Sequence, residues 1–251
     1  MNYRQVMEYV ESLQVLGSVP GLENIINLCK ELGNPQDDLK FIHITGTNGK
    51  GSVCTYLSSA LDKAGYKVGS YNSPTIRDYR ERICVNGRMI SQRALCEMME
   101  RVKEACDKLV AEGNTHPTPF EVETALGFLY FKEKKCDYVI LECGMGGKSD
   151  ATNLVKNTAV AVFTPIGMDH MGFLGETIEE IAAQKAGIIK SGCRVVSSQQ
   201  REEAAQVIEQ VSRKQQTKPV VVRNEDATKI HYGLEKQSFV YQENLKIENQ
   251  K

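Results

Sequence analysis

Alternating strand-like and helix-like segments predict an α/β fold, a mostly parallel sheet flanked by helices. Two observations carry that reading. First, the apolar run Phe41-Ile42-His43-Ile44 leads into a glycine-rich turn, Thr45 to Ser52. The turn is followed by Val53, Tyr56, Leu57, Ala60, Leu61 and Ala64 at helical spacing. Second, further buried-strand runs lie at 137–142 and 158–164, separated from the first by helix-period segments.

In chain order, a helix is expected from Val6 to Leu13 and another from Leu22 to Leu32, ended by Gly33-Asn34-Pro35. Together they make a helical lead-in over residues 1–40, ahead of an α/β core over 41–251. The strand–turn–helix unit occupies 41–65. A short strand follows at Val68-Gly69-Ser70-Tyr71, then a turn at Ser73-Pro74 and a β-hairpin from Glu81 to Ile90 around Asn86-Gly87. One helix should run from Ser91 to about Glu112, and Thr118-Pro119 opens another that ends near Lys135. Thr177 starts a helix with a capping box to Glu180. Val195-Val196 and Val220-Val221-Val222 read as strands on either side of a charged helix from Glu202 to Lys214. From Ile230 the pattern suggests a hairpin, with strands Ser238–Tyr241 and Leu245–Ile247. The chain reaches Lys251 without a closing helix and reads as cut, one domain that is incomplete.

At 251 residues, 41% hydrophobic and 25% charged, the composition is that of an ordinary globular protein. A net charge of −1 gives no footprint for nucleic acid or membrane, and no apolar run has the length of a membrane span. The polar start Met1-Asn2-Tyr3-Arg4-Gln5 is not a signal peptide. The 8 cysteines include no C-x-x-C pair and sit in apolar or helical patterns, as small hydrophobes of a cytoplasmic protein do.

Thr45-Gly46-Thr47-Asn48-Gly49-Lys50-Gly51-Ser52 has the make-up of a phosphate cradle. Glycines let backbone N–H groups turn toward an anion, and the helix N-terminus adds partial positive charge. Lys50 can neutralise β- and γ-phosphate oxygens, and Ser52 can ligate Mg²⁺, so a nucleoside triphosphate is the expected ligand. The spacing is off the general rule, with Ile44 where the first glycine belongs and Gly51 where Ser or Thr should follow the lysine.

Other candidates lie beyond strand ends, where α/β sheets gather ligands. Glu142 ends the run Val139-Ile140-Leu141 and precedes Cys143-Gly144-Met145-Gly146-Gly147, an arrangement suited to holding Mg²⁺; a plain surface glutamate is the alternative. Asp169 and His170 follow the strand ending at Thr164, and an imidazole there is as readily structural as metal-binding. Lys185 falls on the apolar stripe of Ile178, Ile181 and Ala182. It either snorkels to a rim or enters a polar site, where desolvation favours a neutral amine able to react with CO₂.

The loop Gly46–Ser52 resembles the nucleotide loop of the folylpolyglutamate synthase/dihydrofolate synthase branch of the Mur ligase superfamily. The resemblance extends to VILECGMGGKSDATN at Val139–Asn153, to Ser73-Pro74 with Glu81-Arg82-Ile83, and to the block from Ile166 to Lys190. Pro20-Gly21-Leu22-Glu23 and Asn34-Pro35-Gln36 fit the same pattern. The resemblance implies a P-loop Mur ligase central-domain fold and an ATP-dependent ligase that acts as a monomer. ATP would phosphorylate a carboxylate of dihydropteroate or a folate, and the amine of L-glutamate would attack the acyl phosphate. It further implies that Gly46, Thr47, Asn48, Gly49, Lys50, Gly51 and Ser52 hold phosphate, and that Ser52, Ser73, Glu142 and His170 ligate two Mg²⁺ ions. Lys50, His170 and a carbamylated Lys185 would be catalytic, and Thr118, Pro119, Phe120, Asp150 and Ala151 would contact the pterin substrate. Thr75, Lys148 and Gln184 depart from the family's usual histidine, arginine and acid. The family's C-terminal glutamate-ligase domain is expected to be absent from this chain, which leaves a nucleotide-binding module without catalysis as an alternative. A Mur-type peptidoglycan ligase is the other, with Gly51 after Lys50 and the segment 142–153 against it.

Overall fold

The computed structural model describes residues 1–17, 21–169, 171–233, 236–241 and 245–250. Helices α1 (Tyr3–Ser12) and α2 (Glu23–Glu31) lead into strand β1 (Phe41–Thr45) and helix α3 (Lys50–Lys63). β2 (Val68–Tyr71), β3 (Ile83–Val85) and β4 (Arg88–Met89) follow, then the long helices α4 (Gln92–Ala111) and α5 (Pro119–Glu133). β5 (Tyr138–Glu142), β6 (Thr158–Phe163), α6 (Met171–Leu174), α7 (Ile178–Ala186), β7 (Arg194–Ser198), α8 (Glu202–Lys214) and β8 (Pro219–Val222) complete the main body. β9 (Ala227–Tyr232), β10 (Lys236–Tyr241) and β11 (Leu245–Gln250) form a separate antiparallel sheet.

The main sheet runs in the order β4-β3-β2-β5-β1-β6-β7-β8. Its strands from β2 to β8 pair in parallel, and β3 and β4 add an antiparallel edge. This is the expected mostly parallel α/β fold. The chain leaves β1 toward β2 on one side, then crosses to β6 on the other. The order therefore reverses at β1, which makes the carboxyl ends of β1, β5 and β6 the place for a ligand. Register brings those ends level, with Ile44 opposite Glu142 and Thr45 opposite Phe163.

Why these segments form these elements is mostly local. Asn2 caps α1 through a capping box with Gln5, which starts the helix three residues before the expected Val6. Ser91, Thr118 and Thr177 cap α4, α5 and α7, and Thr118 and Thr177 do so in capping boxes. α5 is apolar nearly all round and is buried between the sheet and α2 and α4. Its contact with β2 is close: a Cβ on Gly69 would lie 2.6 Å from the Phe131 ring. Phe41 meets Phe128 edge to face at 5.5 Å. α7 and α8 pack over β6 and β7 around Phe163, Ile181, Ile188 and Ile208. α3 covers Ile42, Ile44 and Ile140 on another part of the sheet.

Two expectations need correction. The C-terminal segment forms three strands, because β9 at 227–232 pairs with β10 in addition to the expected hairpin. Its Thr, Lys and His residues gave no apolar alternation to read. The one-turn helix α6 was also not expected, being too short for a helical period. Among the described residues, no helix is long and apolar enough to cross a membrane. The Pro20 of the lead-in motif lies outside the described residues.

Candidate active site

β1 delivers the glycine loop to the switch point. Thr45 is buried and its hydroxyl donates to Gly146 O at 2.6 Å, which ties the loop to the one after β5. Gly46, at φ 148°, lies against Thr164: an added Cβ would fall 1.9 Å from Thr164 Oγ1. Only glycine fits there. Gly49, at φ 84°, is the N-cap of α3, so Lys50, Gly51 and Ser52 make the first turn of the helix with their N–H groups free of α-helical partners. Asn48, Gly51 and Ser52 are exposed.

The lysines converge. Lys50 Nζ donates to the carbonyls of Gly46 and Thr47, both at 3.2 Å. Lys185, on α7 and only 2% exposed, donates to the same Gly46 oxygen at 2.9 Å. Burial, with the neighbouring Lys50 charge second, lowers the Lys185 ammonium below the ordinary lysine range. The stripe position therefore carries a lysine into a polar site and not to a rim. Lys50, Lys185, Asp169, Gly144 and Met145 line one small recess beside the loop.

Thr47 is tied to the segment after β6. Its N–H donates to Pro165 O at 2.9 Å, its hydroxyl donates to Gly167 O at 3.1 Å, and Gly167 N–H donates back to the hydroxyl at 3.0 Å. Side chain and amide are both engaged with the segment after β6.

Glu142 is 4% exposed at the end of β5. Burial raises its carboxyl above the usual range, opposed by the Ser73 N–H, 3.4 Å away, and by Lys50. A Cβ on Gly51 would sit 3.8 Å from Glu142 Oε2, so the first turn of α3 and the Ser73 backbone both adjoin the Glu142 carboxylate. Among the described residues no three His, Cys, Asp or Glu side chains form a metal cage. His170 lies outside the described residues.

The remaining expected residues share one cavity of about 450 Å³, lined by Ser73, Thr118, Pro119, Phe120, Asp150 and Ala151. The capping box of α5 sets the Thr118 end: Glu121 Oε2 accepts from Thr118 N at 2.7 Å and from its hydroxyl at 2.9 Å. Gly144 permits the close approach of Phe120, whose ring would lie 2.6 Å from an added Cβ. Asp150 is buried and accepts from Met145 N at 2.7 Å and Thr152 N at 2.9 Å, while burial raises its carboxyl.

Polar residues not singled out in the sequence also belong here. Arg82 and Glu123 form a buried pair at 3.3 Å in the cavity wall, with side chains 12% and 7% exposed. Two acids, Glu121 and Glu123, at buried positions of a largely apolar helix were the available signal. His43, fully buried beneath the loop, meets Thr152 Oγ1 at 2.8 Å and Cys143 Sγ at 3.1 Å. Gln200 bonds the backbone after β6 and had no motif to mark it.

The Mur ligase middle domain model matches residues 44–250. The dihydrofolate synthase/folylpolyglutamate synthase of Bacillus subtilis (strain 168) is 42% identical over 207 residues, 82% of this chain and 48% of its own length. The folylpolyglutamate synthase of Lacticaseibacillus casei is 38% identical over 209 residues, 83% of this chain and 49% of its own. The chain thus spans about half the length of these curated relatives. A solved FPGS–AMPPCP–folate complex superposes with a TM-score of 0.90 at 32% identity, covering 98% of this chain and 62% of that one.

Proposed function

The chain belongs to the Mur ligase family, in its folylpolyglutamate synthase/dihydrofolate synthase branch, and from that premise we propose that it forms the nucleotide-binding part of an ATP- and Mg²⁺-dependent ligase joining L-glutamate to dihydropteroate or a folate. One observation carries the reading. The lysine recess and the 450 Å³ cavity share a wall, Gly144 and Met145. A phosphate held on the loop and a carboxylate reaching out of the cavity would meet across those two residues, as in-line transfer requires.

A carboxylate is a poor acylating agent because oxide leaves badly, and conversion to an acyl phosphate corrects this before the glutamate amine attacks. The residues suit that work. Lys50 holds only loop carbonyls and can turn to phosphate oxygens with little loss. The N–H groups of Gly49 to Ser52 at the start of α3 add donors for the same charge. Glu142 carries hard oxygen donors beside the first turn of α3 and the Ser73 backbone, which suits Mg²⁺ when phosphates and water complete the shell; Ser52, Ser73 and His170 join it by motif alone. Bound there, two Mg²⁺ ions would neutralise charge on the transferring phosphate. Lys185 lies where a neutral amine is favoured, and capture of CO₂ with release of a proton would give the carbamate. Phe120 and Pro119 offer flat apolar surface to a pterin ring, and Asp150 holds the Met145 backbone in the wall of the same cavity.

Calorimetry with Mg·ATP, followed by ADP release in the presence of dihydropteroate and L-glutamate, tests the reading. Mg·ATP binding that is lost in Lys50→Met is the expected result, and a chain that binds no nucleotide sinks it. Binding without turnover would favour a nucleotide-binding module. Turnover of a UDP-muramoyl acid in place of a pterin would move the chain to another branch of the family.

A further inference from the structure

We propose that Gln200 is a positioning residue of the nucleotide loop, acting through Thr47. The inference rests on the nucleotide reading above and deepens it. The Gln200 amide spans Pro165 on both sides: Oε1 accepts from Ile166 N at 2.9 Å, and Nε2 donates to Thr164 O at 3.0 Å. The same nitrogen reaches Ser197 Oγ at 3.2 Å and Ser198 Oγ at 3.1 Å at the end of β7. Proline has no N–H, so this turn depends on its flanking groups for a fixed position. The carbonyl held in this way, Pro165 O, accepts from Thr47 N, and two residues on Gly167 exchanges both bonds with the Thr47 hydroxyl. Beyond Gly167 the chain brings Asp169 to the recess of Lys50 and Lys185. Gln200 therefore braces the loop from outside the site, touching neither recess nor cavity lining.

The test is Mg·ATP affinity of the 251-residue chain by calorimetry, for Gln200→Ala, Thr47→Val and the double variant. Each single change should weaken binding about tenfold, the effect of one to two lost hydrogen bonds. Because the two residues act in series, the double variant should also lose about tenfold, where independent sites would lose about a hundredfold. Thr47→Ser, which keeps the hydroxyl, should recover most of the affinity that Thr47→Val loses. A double variant weakened about a hundredfold, singles that bind as the unmodified chain does, or a Thr47→Ser as weak as Thr47→Val would overturn the proposal. If Gln200→Ala does not fold, isosteric Gln200→Glu takes its place, since it keeps the acceptor but sets a carboxylate against Thr164 O. An unmodified chain that fails to bind Mg·ATP overturns the nucleotide reading and this inference with it; variants that bind as well as a competent chain overturn the inference alone.

Discussion

Lys50 and Lys185, on different helices, both donate to the carbonyl oxygen of Gly46, at 3.2 and 2.9 Å. Two ammonium groups so close repel, and a single carbonyl offsets only part of that cost. Lys185, the more deeply buried of the two, is the one whose charged form burial and this repulsion disfavour.

Lys185 should therefore leave a mark on stability against pH. Its folded ammonium loses its proton below the ordinary lysine value. Between the two values the unfolded chain binds more protons, so this group's penalty is full below the folded value and lifts as pH climbs toward about 10.5. Lys185→Met should melt no lower than the unmodified chain at pH 7, and any advantage should shrink at alkaline pH. A variant whose relative stability grows with pH would refute this.

Gly46 and Gly49 should respond differently to the same change. Gly46→Ala drives a methyl into Thr164 and should cost about 3 kcal/mol or more. Around Gly49 a Cβ meets nothing within 4 Å, so Gly49→Ala carries only left-handed strain of about 1–2 kcal/mol. Urea titration of both variants checks the order, and equal losses would remove the packing argument.

His43 governs part of the acid limb. Burial lowers its imidazole to about 3 from 6.5, with Lys190 adding to the shift. The unfolded chain takes up a proton between those values and the folded chain does not, so stability falls as pH drops through that window, by roughly 4–5 kcal/mol at the limit. His43→Asn should flatten the loss between pH 6 and 4 in melts scanned across pH. An unchanged acid limb would contradict the burial of a neutral ring.

Arg82 and Glu123 offer a double-mutant test. Arg82→Leu leaves Glu123 buried without its partner and should cost about 3–5 kcal/mol. Arg82→Leu with Glu123→Leu removes both charges and should recover much of that. Denaturant midpoints of the three variants decide it, and purely additive losses would mean the pair is not coupled.

Much of the molecule was legible in local pattern. The glycine loop between an apolar strand and a helical stripe, the capping residues Ser91, Thr118 and Thr177, and helix α8 at 202–214 were each written in neighbouring residues. So was the family, through motif spacing around Gly51, Glu142 and Lys185. Periodicity and capping are properties of a few consecutive residues, and so is a signature.

Tertiary structure alone decided what those residues touch. Nothing near Thr47 announces that its hydroxyl serves Gly167, or near Gln200 that its amide spans Pro165. Arg82 finds Glu123 only because β3 and α5 flank β2, and Lys185 reaches Gly46 across 139 positions only because the strand order reverses at β1. The sequence by itself determined a glycine loop in the pattern of one family. The strand order determined which distant side chains surround it, because contacts across a sheet follow topology and not sequence period.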